Sequence, residues 1–412
     1  MPSSRVAILS IHTSPLAQPG AGDGGGMNVY VRSLASALAR AGLACDVITR
    51  ADAPGLPRVV QVEPGFRVLH LHVGPPEPLG RHDLAGIVDP LAAALVDAGC
   101  VDVGRYQVLH ANYWISGAVA HRLKHELDLP MVATFHTLAR VKAEAGVDDD
   151  PVQRDRVEGE VVRCADLMLA STAGERGQLA HLYGADATRI EVVPPGVDHR
   201  VFSPGGPGAK RAARVALGLG EGPLVLFVGR IQPLKGPELA VRVLGALVDH
   251  PRARLLVVGG PSGPDGTRHL AEVLATARDL GVVDRVRVLP PQPHRALAEF
   301  YRAADVCVVP SRSESFGLVA LEAAACGTPV VAAAVGGLPS LVEDGVTGFL
   351  VEGREPEAYA GPVSVLLGDP GLASAMAQAA HQRSRRYAWS ITAGRLRRLY
   401  ADLGARAPVT CR

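Results

Sequence analysis

Short apolar runs recur along this chain, each followed by a stretch of helical spacing, and the series runs twice. The first series places strand-like runs at 6–11, 46–49, 66–71, 108–111, 131–135, 167–170 and 190–193. Amphipathic segments at 28–41, 84–98, 116–127, 154–164 and 173–182 lie between them. Strands separated by helices pair in parallel through crossovers, which predicts a sheet covered by helices on both faces. The run Pro194-Pro195-Gly196-Val197-Asp198, continuing to Pro204-Gly205-Gly206-Pro207-Gly208, breaks the pattern as a linker. A second series follows at 224–228, 255–258, 286–289, 306–309, 330–333 and 349–351. The expectation is an α/β chain of two Rossmann-like domains, 1–200 and 208–387, with a cleft between them and an amphipathic helix over 388–404.

Charge excludes several classes of partner. Forty-two basic against 41 acidic residues leave a formal net charge of +1. That balance gives no footprint for nucleic acid and no membrane-binding face. No apolar run reaches spanning length. The run at 6–11 has one basic residue, Arg5, before it and polar residues directly after it, so it reads as a first strand rather than a signal peptide. A cytoplasmic protein is expected. The six cysteines (Cys45, Cys100, Cys164, Cys307, Cys326, Cys411) contain no Cys-x-x-Cys pair. Five sit in apolar runs and read as reduced core thiols, while Cys411 reads as exposed.

The stretch from Val309 to Thr328 carries the strongest chemical signal. After the strand at 306–309, Glu314 falls in a loop, and the spacing turns helical after Gly317, with Glu322 two turns on. The backbone N–H groups of Ser315, Phe316 and Gly317 then stand at a helix N-terminus, where a phosphate is favoured. Glu314 and Glu322 suit neutral hydroxyls, so a pyrophosphate flanked by two hydroxyl readers describes a sugar nucleotide. An N-capped helix with two solvated glutamates satisfies the same spacing. In the first half, Gly20-Ala21-Gly22-Asp23-Gly24-Gly25 matches G-x-G-x-x-G, yet His12 to Pro19 separate it from the strand. Asp46 opens the second strand, where a dinucleotide site needs an acid closing it. The glycines still permit close approach of a phosphate or a sugar.

The pattern Glu314, seven residues, Glu322, with Ser-Phe-Gly-Leu between, resembles the nucleotide-sugar motif of retaining family-4 glycosyltransferases. The opening His12-Thr13-Ser14-Pro15-Leu16-Ala17-Gln18-Pro19-Gly20, then Gly22 to Tyr30, is similar to the mycothiol-pathway inositol-phosphate glycosyltransferases, and the similarity extends to about Tyr400. The resemblance implies a GT-B fold, with the last helix crossing back onto the first domain. It implies transfer of N-acetylglucosamine from UDP-GlcNAc to 1D-myo-inositol 3-phosphate, with retention. Donor contacts are implied at His12, Gln18, Pro19, Gly26, Arg230, Lys235, Gln292, Glu314, Ser315, Phe316, Gly317 and Glu322.

Acceptor contacts are implied at His12, Asp23, Gly24, Gly25, Gly26, Met27, Asn28, Arg81, Tyr113, Thr137 and Arg156. His136, Arg230, Lys235 and Glu314 are the implied catalytic set. The two cations Arg230 and Lys235 would stabilise the leaving pyrophosphate as its charge grows. No metal cofactor is required for that chemistry. Relatives can hold a structural Mg²⁺ near Tyr301, Arg302, Ala304 and Thr328, and can form a homodimer. The segment Asp148-Asp149-Asp150-Pro151-Val152-Gln153 lacks the Pro-Glu usual before the acceptor arginine. Two other readings stand beside this one: a paralogue acting on an aminocyclitol such as 2-deoxystreptamine, and an inactive nucleotide-binding protein.

Overall fold

The computed structural model describes residues 5–97, 106–146, 152–263 and 265–410. The acidic run at 148–151, Cys100, Cys411, residue 98 and Pro264 lie outside them. Two compact units emerge, one formed by Met1–Ala17, Met27–Gly196 and Trp389–Arg412, the other by Gln18–Gly26 and Val197–Ala388.

The first unit is built on eight strands: β1 (Arg5–Leu9), β2 (Ala44–Arg50), β3 (Val59–Glu63), β4 (Phe66–Leu71), β5 (Val108–Asn112), β6 (Met131–Thr134), β7 (Leu167–Ala170) and β8 (Ile190–Val192). They lie in the order β3-β4-β2-β1-β5-β6-β7-β8. All neighbours are parallel except β3, which pairs antiparallel with β4 at the edge. That edge strand was not anticipated. Its residues are partly or fully exposed, so it lacks the apolar run that marks the other strands. Chain order reverses between β1 and β5, and a doubly wound sheet opens its ligand crevice at such a switch point. The loops after Leu9 and Asn112 therefore occupy the functional edge.

The second unit holds β9 (Leu224–Val228), β10 (Arg254–Val258), β11 (Val286–Leu289), β12 (Val306–Val309), β13 (Val330–Ala333) and β14 (Gly348–Val351). Their order is β11-β10-β9-β12-β13-β14, parallel throughout. The reversal falls between β9 and β12, so the loops after Val228 and Val309 share the equivalent position. These loops carry Arg230, Lys235 and Glu314.

Two details depart from expectation. The glycine loop 18–26, expected in the first domain, groups with the second unit. Its backbone is the reason: the Gly260 N–H donates to Gly20 O at 3.1 Å, and Ser262 Oγ donates to Gly22 O at 2.7 Å. Gln18 Nε2 adds a bond to Gln292 O at 2.6 Å. Cys45, Cys307 and Cys326 are buried free thiols, but Cys164 is disulfide-bonded, against the reduced reading. Among the described residues, no helix is long and apolar enough to cross a membrane.

The helix Trp389–Gly404 packs within the first unit. Trp389 meets Tyr30 edge-on at 5.6 Å, and the buried Tyr400 hydroxyl is hydrogen-bonded with His110 Nδ1 at 2.7 Å.

Candidate active site

In the first unit, polar groups gather after β5 and β6. Tyr113 directly follows β5 at φ 76 and caps the helix Trp114–Leu127. His136 lies two residues past β6 at φ 62. These are two of the three non-glycine residues with positive φ among those described. Such a conformation costs energy and is retained where its surroundings enforce it. Beside them lies Arg154, fully buried on the helix Val152–Cys164. Its Nη1 donates to the Tyr113 hydroxyl at 3.2 Å, and its Nη2 to Thr137 Oγ1 at 3.0 Å and Thr137 O at 2.7 Å. The guanidinium also stacks over the Tyr113 ring at 4.9 Å.

Arg154 is paired with Glu158 at 2.6 Å, one turn on, and neither side chain has exposed surface. Burial raises the Glu158 carboxyl, against the Arg154 charge and hydrogen bonds from Tyr183 and Ala139. Arg156, one of the implied acceptor contacts, is not part of this cluster. Its side chain is 71% exposed and lies 3.6 Å from Glu160. Two residues turn a helix by about 200°, so 154 and 158 face inward with Val157 and Val161 while 156 faces out. The i, i+4 Arg–Glu spacing on that apolar stripe was the legible signal.

The His136 ring is bonded through Nε2 to Asn112 Oδ1 at 2.9 Å and meets Tyr30 edge-on at 4.8 Å. Burial pushes its pKa down to about 3, so the ring is neutral at ordinary pH. With a carbonyl oxygen opposite Nε2, that nitrogen carries the proton. The His12 ring stands 5.2 Å from that of Tyr113. Asn28 is buried and ties the loop back through Thr13 Oγ1 at 2.7 Å and Ser14 O at 2.6 Å. It is therefore a loop support. Arg81 opens the helix Arg81–Gly86, half-buried; Met27 is also half-buried, and Asp23 is exposed.

In the second unit, Lys235 Nζ meets Glu314 Oε2 at 2.6 Å, so the two residues expected to serve a donor separately pair with each other. Ser311 Oγ donates to the same oxygen at 3.3 Å. The Glu314 backbone is also held. Its carbonyl accepts from Gly337 N at 2.8 Å, and a Cβ on Gly336 would come within 1.8 Å of that oxygen. Only glycine fits there. Arg230 Nη1 donates to Ser262 Oγ at 3.2 Å, and a Cβ on Gly25 would sit 3.3 Å from Arg230 Nε. The loop 18–26 thus lies directly against the candidate phosphate cation.

Gly317 caps the helix Leu318–Ala325 at φ 107, which puts Ser315 and Phe316 just before its positive end. The Phe316 side chain belongs to the core, edge-on to Tyr387 at 5.7 Å, so only its backbone is available to a ligand. Glu322 is 4% exposed, bonded to His294 Nε2 at 2.6 Å and the Tyr301 hydroxyl at 2.9 Å. His294 was not anticipated. Gln292 bonds Pro290 O at 2.9 Å through its amide.

The four residues considered for a structural Mg²⁺ do not fit a hard cation. The Tyr301 carbonyl already accepts the Thr328 hydroxyl at 2.6 Å and the Ala304 N–H at 3.1 Å. Arg302 fills the neighbouring Ser203 carbonyl at 2.9 Å, and its positive charge opposes an ion there.

Comparison with known proteins gives the family. The family described as Glycosyltransferase Family 4 matches residues 24–201, and that described as Glycosyl transferases group 1 matches 210–383. The D-inositol 3-phosphate glycosyltransferase of Xylanimonas cellulosilytica is 48% identical, over 98% of this chain and 98% of its own. The chain is a family-4 glycosyltransferase. The family-4 assignment is supported equally by the enzyme of the same name from Actinosynnema mirum, 49% identical over 97% of each chain. Among solved structures, sucrose-phosphate synthase from Thermosynechococcus elongatus superposes with a TM-score of 0.90 at 33% identity, covering 98% of this glycosyltransferase and 99% of that chain. The two parallel α/β units are those of the GT-B fold.

Proposed function

We propose that this glycosyltransferase moves N-acetylglucosamine from UDP-GlcNAc to the hydroxyl of 1D-myo-inositol 3-phosphate, retaining anomeric configuration, the first committed step of mycothiol biosynthesis. The observation that carries the reading is the buried Arg154, which fixes the Tyr113 and Thr137 hydroxyls side by side. Two hydroxyls aligned by one guanidinium offer hydrogen bonds to phosphate oxygens at little ordering cost. Relatives named for inositol 3-phosphate support the acceptor class.

On the donor side, the pyrophosphate takes Lys235 from Glu314 and meets Arg230. Glu314 is then released to accept the sugar hydroxyls. As the C1–oxygen bond breaks, charge develops on the leaving phosphate, and the two cations stabilise that state more than the ground state. Glu158 is sealed beneath Arg154 and cannot serve as a nucleophile in the first unit's cluster. Attack on the donor's front face is the retaining route of this proposal. The acceptor oxygen bonds C1 while its proton passes to the departing phosphate oxygen. Neutral His136 adds a fixed dipole beside the reaction without a competing charge.

The Arg154–Glu158 pairing also favours keeping the aminocyclitol reading in view, because it leaves the cluster close to neutral rather than cationic. Product mass spectrometry with UDP-GlcNAc against inositol 3-phosphate, inositol and 2-deoxystreptamine tests both. Inositol 3-phosphate should be glycosylated, and Tyr113→Phe should raise its KM about fivefold, the worth of about 1 kcal/mol for one hydrogen bond. Transfer to 2-deoxystreptamine with inositol 3-phosphate inert would replace the proposed acceptor.

A further inference from the structure

The loops that carry Lys235 and Glu314 have another side. Gln232, Gly236 and Arg312 on these loops, with Arg354 beyond β14, wall a cavity of about 240 Å³ over the start of the helix Pro237–Ala246. None of the residues assigned to the donor lines it. The helix start has no side-chain cap, and Gly236 stands before it at φ 71. Its first N–H groups therefore lack a side-chain acceptor.

The charges around it are what set the cavity apart. Arg354 donates to Pro310 O at 3.1 Å, and its guanidinium is pulled below its ordinary range by burial and then by the charge of Arg312. Among the described residues, no acid stands within 4.0 Å of either guanidinium. The acids on the wall are engaged elsewhere. Glu238 accepts from Arg242 at 2.7 and 3.1 Å. Glu272 accepts from Arg268 at 2.8 Å and pairs with His269 Nδ1 at 3.0 Å. Gln232 also lines the cavity, and its buried Nε2 has no acceptor among the described residues. Two like charges on one cavity wall with no acid beside either call for an anion.

We propose that this cavity binds the phosphate group of a small metabolite, at a site separate from the sugar-nucleotide pocket. Arg312 and Arg354 take the phosphate oxygens in their planar forks, and the uncapped helix start adds backbone donors. The remaining volume holds an organic body, which favours a phosphate ester over free phosphate. Arg312 is two residues from Glu314 and Gln232 three from Lys235, so the occupant also bears on both donor loops.

Calorimetric titration of the full chain with glucose 6-phosphate and with inorganic phosphate tests this, at saturating UDP so that the donor pocket is filled. Both probes should bind, the ester more tightly; equal affinity supports the site with free phosphate as its occupant. Arg312→Gln should weaken binding by about tenfold or more while leaving UDP affinity within about twofold. In phosphate-free buffer the same variant should melt higher than the native chain, because a like-charge repulsion is gone. In saturating phosphate it should melt lower. That reversal separates a ligand site from a structural arginine. Arg354→Gln, which also loses the bond to Pro310, should lose phosphate binding too. Phosphate binding unchanged in Arg312→Gln overturns the proposal. So does UDP affinity falling in parallel, which would place the arginines in the donor pocket, or no binding of either probe by the native chain.

Discussion

Lys235 and Glu314 meet at 2.6 Å across two loops, with 24% and 18% of their side chains exposed. Arg154 and Glu158 meet at the same distance on one helix, with none of either exposed. The first pair keeps contact with water and can exchange partners at little cost, which suits a cation that must turn from a carboxylate to a pyrophosphate. The second pair has no such freedom. Removing one partner strands a charge in the interior, so it acts as a fixed frame for Tyr113 and Thr137. On the proposed function, one unit's site would rearrange around its ligand, and the other's is set in advance.

The sharpest way to break this contrast is to delete each carboxylate's or cation's partner. Glu158→Ala should destabilise the fold by about 3–5 kcal/mol, the cost of an uncompensated buried charge, measured by urea unfolding. A loss below about 1 kcal/mol, the level of surface pairs, would mean that the buried pair is no frame. Lys235→Ala should behave in the opposite way. Stability should shift by less than about 1 kcal/mol. Turnover should fall by about 10²-fold or more, as when a transition-state donor is lost. UDP binding should weaken far less, and single-turnover kinetics would separate the two. Unchanged turnover removes Lys235 from the chemistry.

Acid sharpens the comparison from another direction. His110 and His136 are both buried with pKa values of about 3, well under the usual histidine range. Each is neutral in the folded chain and protonates readily once unfolded. Their contribution is therefore complete above about pH 6.5 and declines as pH falls from there toward 3. Unfolding midpoints measured between pH 7 and 4 should drop accordingly, and the loss should shrink in His110→Asn. The pH–rate profile should show no limb from His136 between pH 5 and 8. The smallest effect belongs to Arg156→Ala. As a surface residue off the cluster, it should move stability by less than about 0.5 kcal/mol and leave the acceptor KM unchanged. A tenfold rise would return the acceptor role to Arg156.

The sequence reading succeeded where burial imposes a period and failed where geometry depends on distant partners. The thirteen strands with a parallel neighbour fall on the thirteen apolar runs, and the linker glycines and prolines stand apart from them, so the two units were legible. Glu314 and Lys235 were placed on the right loops, because each follows a strand end. Their mutual ion pair was not legible, since 79 residues separate them. Arg154 was not singled out, although Arg154, Glu158 and Val161 share one helical face and the structure buries all three. Gly336 gave no sign of its role; what requires glycine there is a carbonyl 22 residues earlier in the chain. The disulfide at Cys164 was likewise invisible to spacing.

The docking of loop 18–26 on the second unit bears on how this protein can be cut. A fragment starting at Val197 would keep all six strands of its sheet yet leave the Gly260 N–H, the Ser262 hydroxyl and the Gln292 carbonyl facing solvent. A fragment ending at Gly196 would lose the helix that carries Trp389 and Tyr400 from beneath Tyr30 and His110. Each half borrows a short piece of polypeptide that the gene encodes with the other. The order of exons or domains along a chain is thus a poor guide to its separable parts, and two-fragment complementation should succeed only when both loans are respected.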